Sequence, residues 1–474
     1  MKCKLDKLEI PANQPFKNCK LDREKYAEIL KTIITTYQKG FVLAINGKWG
    51  TGKTTFVEMW KAYLELDGFH TLYFNAWEND FISDPLVGLL GELKKMNSQE
   101  KAEAALTSVI NTAGKIVLKA APAMFKGVVK RYAGEEIVDI LCDGIEEGAS
   151  MLKKEIENYE SQKYSLKQFR DELETYVDEV CDKKPLIFII DELDRCNPHY
   201  AVKTLERIKH LFNIPNIVFV LSIDKEQLSN SIRGYYGSDL IEADEYLKRF
   251  IDIEYILPAP NIGQFCNYLY DYYGFDSYEK ARDSRDGLKD SFLVIANILF
   301  MYKSLSLRQI EKIFTHIRLS LNMYNYNQII YSDLVCLLTY LRICESDCYD
   351  KINYKSYSIQ ELIDQIETII PKQIFNVESN ASHSPNRYFY FTLALLLRCY
   401  VYSYQNSDNN DKLLTRTLVP QSKLEINFNV KIINKELLAE TLEWAYERNK
   451  IIPLSYFTNK IDLLENFMIV NTVE

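Results

Sequence analysis

Eight residues, Gly47–Thr54 (GKWGTGKT), constrain this chain more than any other stretch. They fit the spacing G-x-x-x-x-G-K-[ST], and the spacing is informative only in the right setting, after a strand and before a helix. Both are present. Phe41–Asn46 (FVLAIN) is a short apolar run bounded by glycine, the pattern of a buried parallel strand, and Thr54–Leu66 has helical periodicity. Glycines at 47, 50 and 52 allow the backbone to turn and aim several N–H groups at phosphate oxygens. The helix that follows adds its positive N-terminal end. Lys53 is then expected to reach the β- and γ-phosphates of a nucleotide, and Thr54 to supply a hydroxyl to Mg²⁺. The bland alternative, a glycine-rich turn with no ligand, leaves the Lys-Thr pair unexplained.

Further short apolar runs surround this unit. Thr71–Phe74 (TLYF), Pro185–Ile190 (PLIFII) and Ile217–Ile223 (IVFVLSI) read as strands, and residues 21–38, most of 85–180 and Ala201–Phe212 read as helices. Alternation of this kind predicts an α/β fold, a parallel sheet flanked by helices. Pro258 and Pro260 end the pattern. Beyond them the chain reads as helical and tyrosine-rich, with polar interruptions at 276–290, 376–387 and 404–412. The run PLIFIIDELDRC (185–196) ends in acids, where a parallel strand meets a nucleotide crevice. Asp191 is expected to hold the Mg²⁺ hydration shell and Glu192 to orient and deprotonate the attacking water. Asp194 and Arg195 begin the next loop without an assigned role. Ser222 and Asp224 close the next strand, either as γ-phosphate or water contacts or as ordinary strand-end polar residues.

Length and composition narrow the class. A chain of 474 residues exceeds one compact core, so two or three domains are expected. The net charge of −9 argues against a large basic face for nucleic acid, while leaving a local basic groove open. Ten cysteines are scattered, and only Cys344 and Cys348 lie close together, so free thiols in a reducing cytosol are expected rather than a zinc set. The N-terminal residues MKCKLDKLEI do not read as a secretory signal, and no stretch reaches the about 18 uncharged apolar residues of a membrane span. Within 85–180, residues 104–131 are expected to be helical. Lys115, Lys119, Lys126 and Lys130 share one side, and Val117, Leu118, Phe125, Val128 and Val129 the other, with a bend at Pro122. Such a helix can touch an anionic membrane surface, or pack on its own protein with a solvated lysine face.

Several segments together resemble the KAP family of P-loop NTPases, within the broader set that includes AAA+ and STAND proteins. They are LDREKYAEIL (21–30), INGKWGTGKTT (45–55) with Trp49 inside the loop, FNAWEND (74–80), IIDELDRC (189–196), VFVLSIDKEQL (218–228), EYLKRFIDIEYILP (245–258) and LSLRQIEKI (305–313). The family commonly has two aspartates where this chain has Asp191 and Glu192, and its members often carry two membrane helices where this chain has an insertion without them. The resemblance implies a P-loop core over 1–258 with a helical insertion at about 90–180, a helical lid over 259–322 and a mainly helical domain over 323–474. It implies ATP and Mg²⁺ as cofactors, with Gly47, Trp49, Gly50, Thr51, Gly52, Lys53, Thr54, Thr55 and Ser222 as nucleotide contacts and Thr54 and Asp191 on the metal. Arg249 is similar to a basic residue that reaches a phosphate from the same or a neighbouring subunit, and Arg308 to a lid-domain sensor. Adenine and ribose are expected against Leu21–Tyr26. The implied role is a cytoplasmic bacterial ATPase, at most peripheral at the inner membrane surface, linked to defence against phage or foreign DNA through a protein effector or a homo-oligomer. A conformational switch, a scaffold with little turnover and a nucleic-acid-stimulated ATPase are the three readings carried forward.

Overall fold

The computed structural model describes residues 5–37, 40–96, 100–120, 151–181, 184–209, 214–280, 288–325, 328–375, 385–403, 413–417, 423–448 and 452–470. The chain divides into two compact units, Leu8–Ala259 and Pro260–Glu474, the second including the N-terminal residues up to Lys7. Each is described by itself.

The first unit is built on five parallel strands: β1 (Phe41–Asn46), β2 (Thr71–Asn75), β3 (Leu186–Asp191), β4 (Ile217–Ile223) and β5 (Ile253–Ile256), in the spatial order β2-β3-β4-β1-β5. The phosphate-loop strand and the acid-bearing strand are therefore not neighbours; β4 lies between them. Successive side chains on a strand face opposite sides, and here both sides are dry. Val42, Ala44, Phe188, Ile190, Phe219 and Leu221 enter one core. Leu43, Ile45, Ile187, Ile189, Val218 and Val220 enter the other. That double burial is why the central strands read as unbroken apolar runs.

The second of these cores is closed by α1 (Glu24–Thr36) and α2 (Lys53–Leu66), through Ala27, Leu30, Ile34, Phe56, Val57 and Trp60. The first core is larger. It takes α3 (Pro85–Lys95), α4 (Glu100–Ala120), α5 (Met151–Val180), α6 (Pro198–Lys209), α7 (Lys225–Tyr236) and the short α8 (Ala243–Leu247). α4 and α5 run along each other, and Leu106, Val109, Ala113, Ile116 and Val117 are buried with Phe169, Leu173, Tyr176 and Val177. Of the expected lysine stripe, Lys115 is exposed on the far side. Pro122, Phe125, Lys126, Val128, Val129 and Lys130 lie outside the described residues, as does the side chain of Lys119. Among the described residues no helix is long and apolar enough to cross a membrane.

The sequence reading finds four of the five strands. β5 escapes it because its residues alternate in exposure and include Glu254, as befits an edge strand with one wet side. The second unit is helical as expected, apart from a small antiparallel hairpin, β6 (Leu414–Thr417) with β7 (Lys423–Ile426). Its helices include α9 (Ile262–Tyr272), α10 (Phe275–Lys280), α11 (Leu288–Tyr302), α12 (Leu307–Asn322) and α13 (Ser332–Cys344). Every residue of α13 from Ser332 to Leu341 is buried, so α13 is the axis of this unit.

Gly88 on α3 shows how tightly the first core is filled. A Cβ there would stand 2.7 Å from Cε2 and 2.9 Å from Cζ of Phe74, itself buried on β2. Alanine in a helix is ordinarily favoured over glycine by about 1 kcal/mol, but overpacking a core costs about 1–3 kcal/mol. Gly88→Ala is therefore expected to lower the thermal midpoint, by about 2–4 °C for each kcal/mol lost in a unit of this size. A raised midpoint would mean that the Phe74 ring yields.

Candidate nucleotide-binding site

The C-terminal ends of the strands share one level because the register aligns them. Asn75 of β2 lies beside Asp191 of β3, Asp191 beside Ser222 of β4, and Ser222 beside Ile45 of β1. The loop leaves β1 at this level and turns into α2. Gly50 and Gly52 have φ of 74° and 81°, a region that side chains with a Cβ rarely adopt, so the turn requires glycine at these two positions.

Lys53 is buried, and its Nζ donates to the carbonyls of Gly47 and Lys48, the second at 3.2 Å. Burial pushes the ammonium below its ordinary value, against the opposing charges of Asp194, Asp224 and Asp191. A desolvated cation inside a ring of backbone is a fitting partner for an anionic oxygen. Thr54 is the second residue of α2, and its Oγ1 donates to Glu192 Oε1 at 3.4 Å. Asp191 accepts from Tyr73 Oη at 2.9 Å and from the Glu192 N–H at 2.9 Å. Glu192 has left-handed backbone (φ 60°, ψ 26°), a conformation that costs a non-glycine residue energy and tends to occur at functional sites. Burial raises its carboxyl above the usual range; Arg195 opposes this and Asp191 adds to it. The Asn75 side chain also hydrogen-bonds Glu192.

The remaining candidates divide. Trp49 sits in the loop with its backbone N–H on Asp224 Oδ2 at 3.0 Å and its indole N–H on Asp194 Oδ2. Thr51 donates its hydroxyl to the Lys48 carbonyl at 2.8 Å, and Thr55 follows Thr54 in the first turn of α2. Ser222 is fully buried and its Oγ has no partner among the described residues. Such an orphan hydroxyl is what a site lacking its ligand would leave. Arg249 is exposed in the turn between α8 and β5. Arg308 is exposed in the first turn of α12, in the other unit.

Sequence reasoning missed the side chains that hold the loop from outside. Arg23, just before α1, is buried and donates to the carbonyls of Gly52 at 2.9 Å and Thr51 at 2.6 Å. A single arginine at a helix start has no local pattern to reveal this. Asp194 had no assigned role, yet it receives the Trp49 indole, and burial raises its carboxyl while that indole N–H and Lys53 oppose the rise.

The set of groups suits a magnesium nucleotide. Among the described residues no group of three or more His, Cys, Asp or Glu side chains could hold a metal ion on its own. Mg²⁺ commonly needs only one or two protein ligands and takes phosphate oxygens and water for the rest, and Asp191 and Thr54 are the side chains that would provide them.

Strand, phosphate loop, helix and acid-tipped strand, set in this parallel order, are those of a P-loop NTPase. Within that class the chain belongs to the KAP family, whose P-loop domain matches residues 23–336, well over half of the sequence. No curated protein matches significantly. Among solved structures, a chain from the structure of Drosophila ORC bound to DNA aligns with 95% of this chain and 86% of its own length, at 13% identity and a TM-score of 0.30. A likeness that remote carries no argument.

Because Arg23 donates to two carbonyls of the loop, its loss should weaken nucleotide binding by loosening the loop. Hydrogen bonds to a charged group contribute about 1.5–3 kcal/mol, so Arg23→Met is expected to lower the affinity for a non-hydrolysable ATP analogue by about tenfold or more. Calorimetry beside a thermal melt tests this. Unchanged affinity in a folded variant would show that the loop keeps its shape alone.

Proposed function

We propose that this KAP-family protein binds and hydrolyses Mg·ATP, and that hydrolysis drives a conformational switch. The observation that carries the reading is the approach of Thr54 to Glu192, 3.4 Å between hydroxyl and carboxylate, beside Asp191. It supports a reading in which the second acid lies beside the terminal phosphate. In this reading Lys53 binds the β- and γ-phosphates and Ser222 is a nucleotide contact. Bound Mg²⁺ supplies charge neutralisation on the phosphates. Asp191 and Thr54 hold the ion, and Glu192 orients a water and accepts its proton.

ATP is favoured over GTP because the residues directly after β4, Asp224-Lys225-Glu226-Gln227, do not form the Asn/Thr-Lys-x-Asp guanine motif, and the one such match, Asn459–Asp462, lies within a helix of the second unit. The switch is proposed to be read by a protein effector or a second copy of the chain, with Arg249 reaching a phosphate in the same or a neighbouring subunit and Arg308 as a sensor. Bacterial defence against phage or foreign DNA is the biological role that the family resemblance supports.

Replacing Glu192 with Gln keeps size and hydrogen bonding but removes the proton acceptor. The variant is expected to bind ATP as tightly as the parent while turnover falls by about 100-fold or more. Steady-state hydrolysis with and without DNA, RNA and anionic vesicles checks this and the alternatives. A parent chain that binds ATP without turnover would make it a scaffold, and stimulation by nucleic acid alone would make it a nucleic-acid-dependent ATPase. Full activity in Glu192→Gln with none in Asp191→Asn would exchange the roles of the two acids.

A further inference from the structure

Arg195 follows the acids at the tip of β3, and three segments of the first unit converge on it. Its Nη1 lies 2.7 Å from Glu192 Oε1. Its guanidinium carbon stands 6.0 Å from the Trp49 ring centroid and 5.7 Å from that of Trp77. Trp49 comes from the phosphate loop, and Trp77 from the 3-10 turn Trp77–Asn79 after β2. The arginine thus bridges the loop, the NAW segment and the acid-bearing strand.

Local structure brings it there. The 3-10 turn Leu193–Arg195 carries Arg195 back over Glu192, and its backbone N–H closes on the Glu192 carbonyl at 3.1 Å. The ion pair is largely shielded, with side-chain exposures of 25% and 12%, so solvent and salt screen it less than a surface pair. Trp49 and Trp77 are 44% and 50% exposed, so core packing does not account for either ring. Trp49 is pinned by Asp194 and Asp224, which leaves its indole fixed beside the guanidinium. Arg195 and the Thr54 hydroxyl both address Oε1, and with the Asn75 side chain they set the rotation of the Glu192 carboxylate, Arg195 being the one charged donor of the three.

We infer that Arg195, held beside the rings of Trp49 and Trp77, is the positioning residue for Glu192 and couples the geometry of the phosphate loop to that of the carboxylate. This rests on the reading of Glu192 as the group that activates water. A guanidinium is suited to the task because it stacks on aromatic faces and pairs with a carboxylate edge at once, which an ammonium cannot do.

The test is ATP hydrolysis and ATP-analogue binding by the full chain, with thermal melts, for the parent and five variants. These are Glu192→Gln, Arg195→Ala, Arg195→Lys, Trp77→Ala and Trp77→Ala with Arg195→Ala. Misplacing a reacting group by about 1 Å costs about 100-fold, so kcat of Arg195→Ala is expected to fall by about that factor. KM and analogue affinity should stay within about threefold of the parent, because the loss falls on the transition state rather than on binding. Arg195→Lys should recover part of the rate. Trp77→Ala, at an exposed position that tolerates truncation, should lower kcat by about tenfold and have no further effect once Arg195 is Ala. Parent-level kcat in folded Arg195→Ala, or additive losses from Trp77 and Arg195, would overturn the role of Arg195 while Glu192→Gln remained inactive. Should Arg195→Ala not fold, Trp77→Ala alone decides: parent kcat there overturns the role of the aromatic contact in holding Arg195. A parent without turnover, or a fully active Glu192→Gln, would instead overturn the reading of Glu192 and leave a different pattern of results.

Discussion

A buried ammonium must be solvated by something, and Lys53 is solvated by the carbonyls of its own loop. Much of the site follows from that constraint. To wrap around the lysine the backbone turns through left-handed conformations at Gly50 and Gly52. The carbonyls of Thr51 and Gly52 accept from Arg23, the second of them beside the Phe56 N–H of α2. The Trp49 N–H is held by Asp224. The loop is thus tied from two directions, by the segment before α1 and by the cap of α7, while α2 opens at Lys53. Preformed in this way, the loop spends less of its interaction energy on ordering when an anion arrives.

The sheet supplies the second condition. Because its strands are parallel and in register, their polar ends emerge at one level, and Asn75, Asp191 and Ser222 lie in a row. Both faces are covered by helices, so the C-terminal edge is where polar side chains gather. β4 separates the loop strand from the acid strand, which leaves room for Ser222 between the two sources of ligands. Over its described part, the insertion buries the apolar side of α4 against α5 on the same core that supports β2 and β3.

Some of this was legible in the sequence for direct reasons. Four of the strands appear as apolar runs because burial on both faces removes any need for alternation. The phosphate loop and the paired acids are legible because their chemistry needs particular residues at short, fixed spacings. β5 was not, since an edge strand with one wet side mixes Glu254 and Tyr255 among its isoleucines and imitates a loop. Nor was the hairpin of β6 and β7, whose short polar strands carry little pattern.

By itself, then, the sequence determined the class of fold, the phosphate loop and the acids facing it, because each is written in contiguous residues whose local conformation and chemistry are linked. Only the tertiary structure decided which distant groups support them. Arg23 reaches the loop across 28 and 29 positions of chain, and Trp49 reaches Asp194 across 145. Trp77 and Arg195 meet because β2 and β3 are neighbours in the sheet. A contact of that kind leaves no periodicity and no spacing in the chain, since its distance is set by the order of the strands and not by the number of residues between the partners.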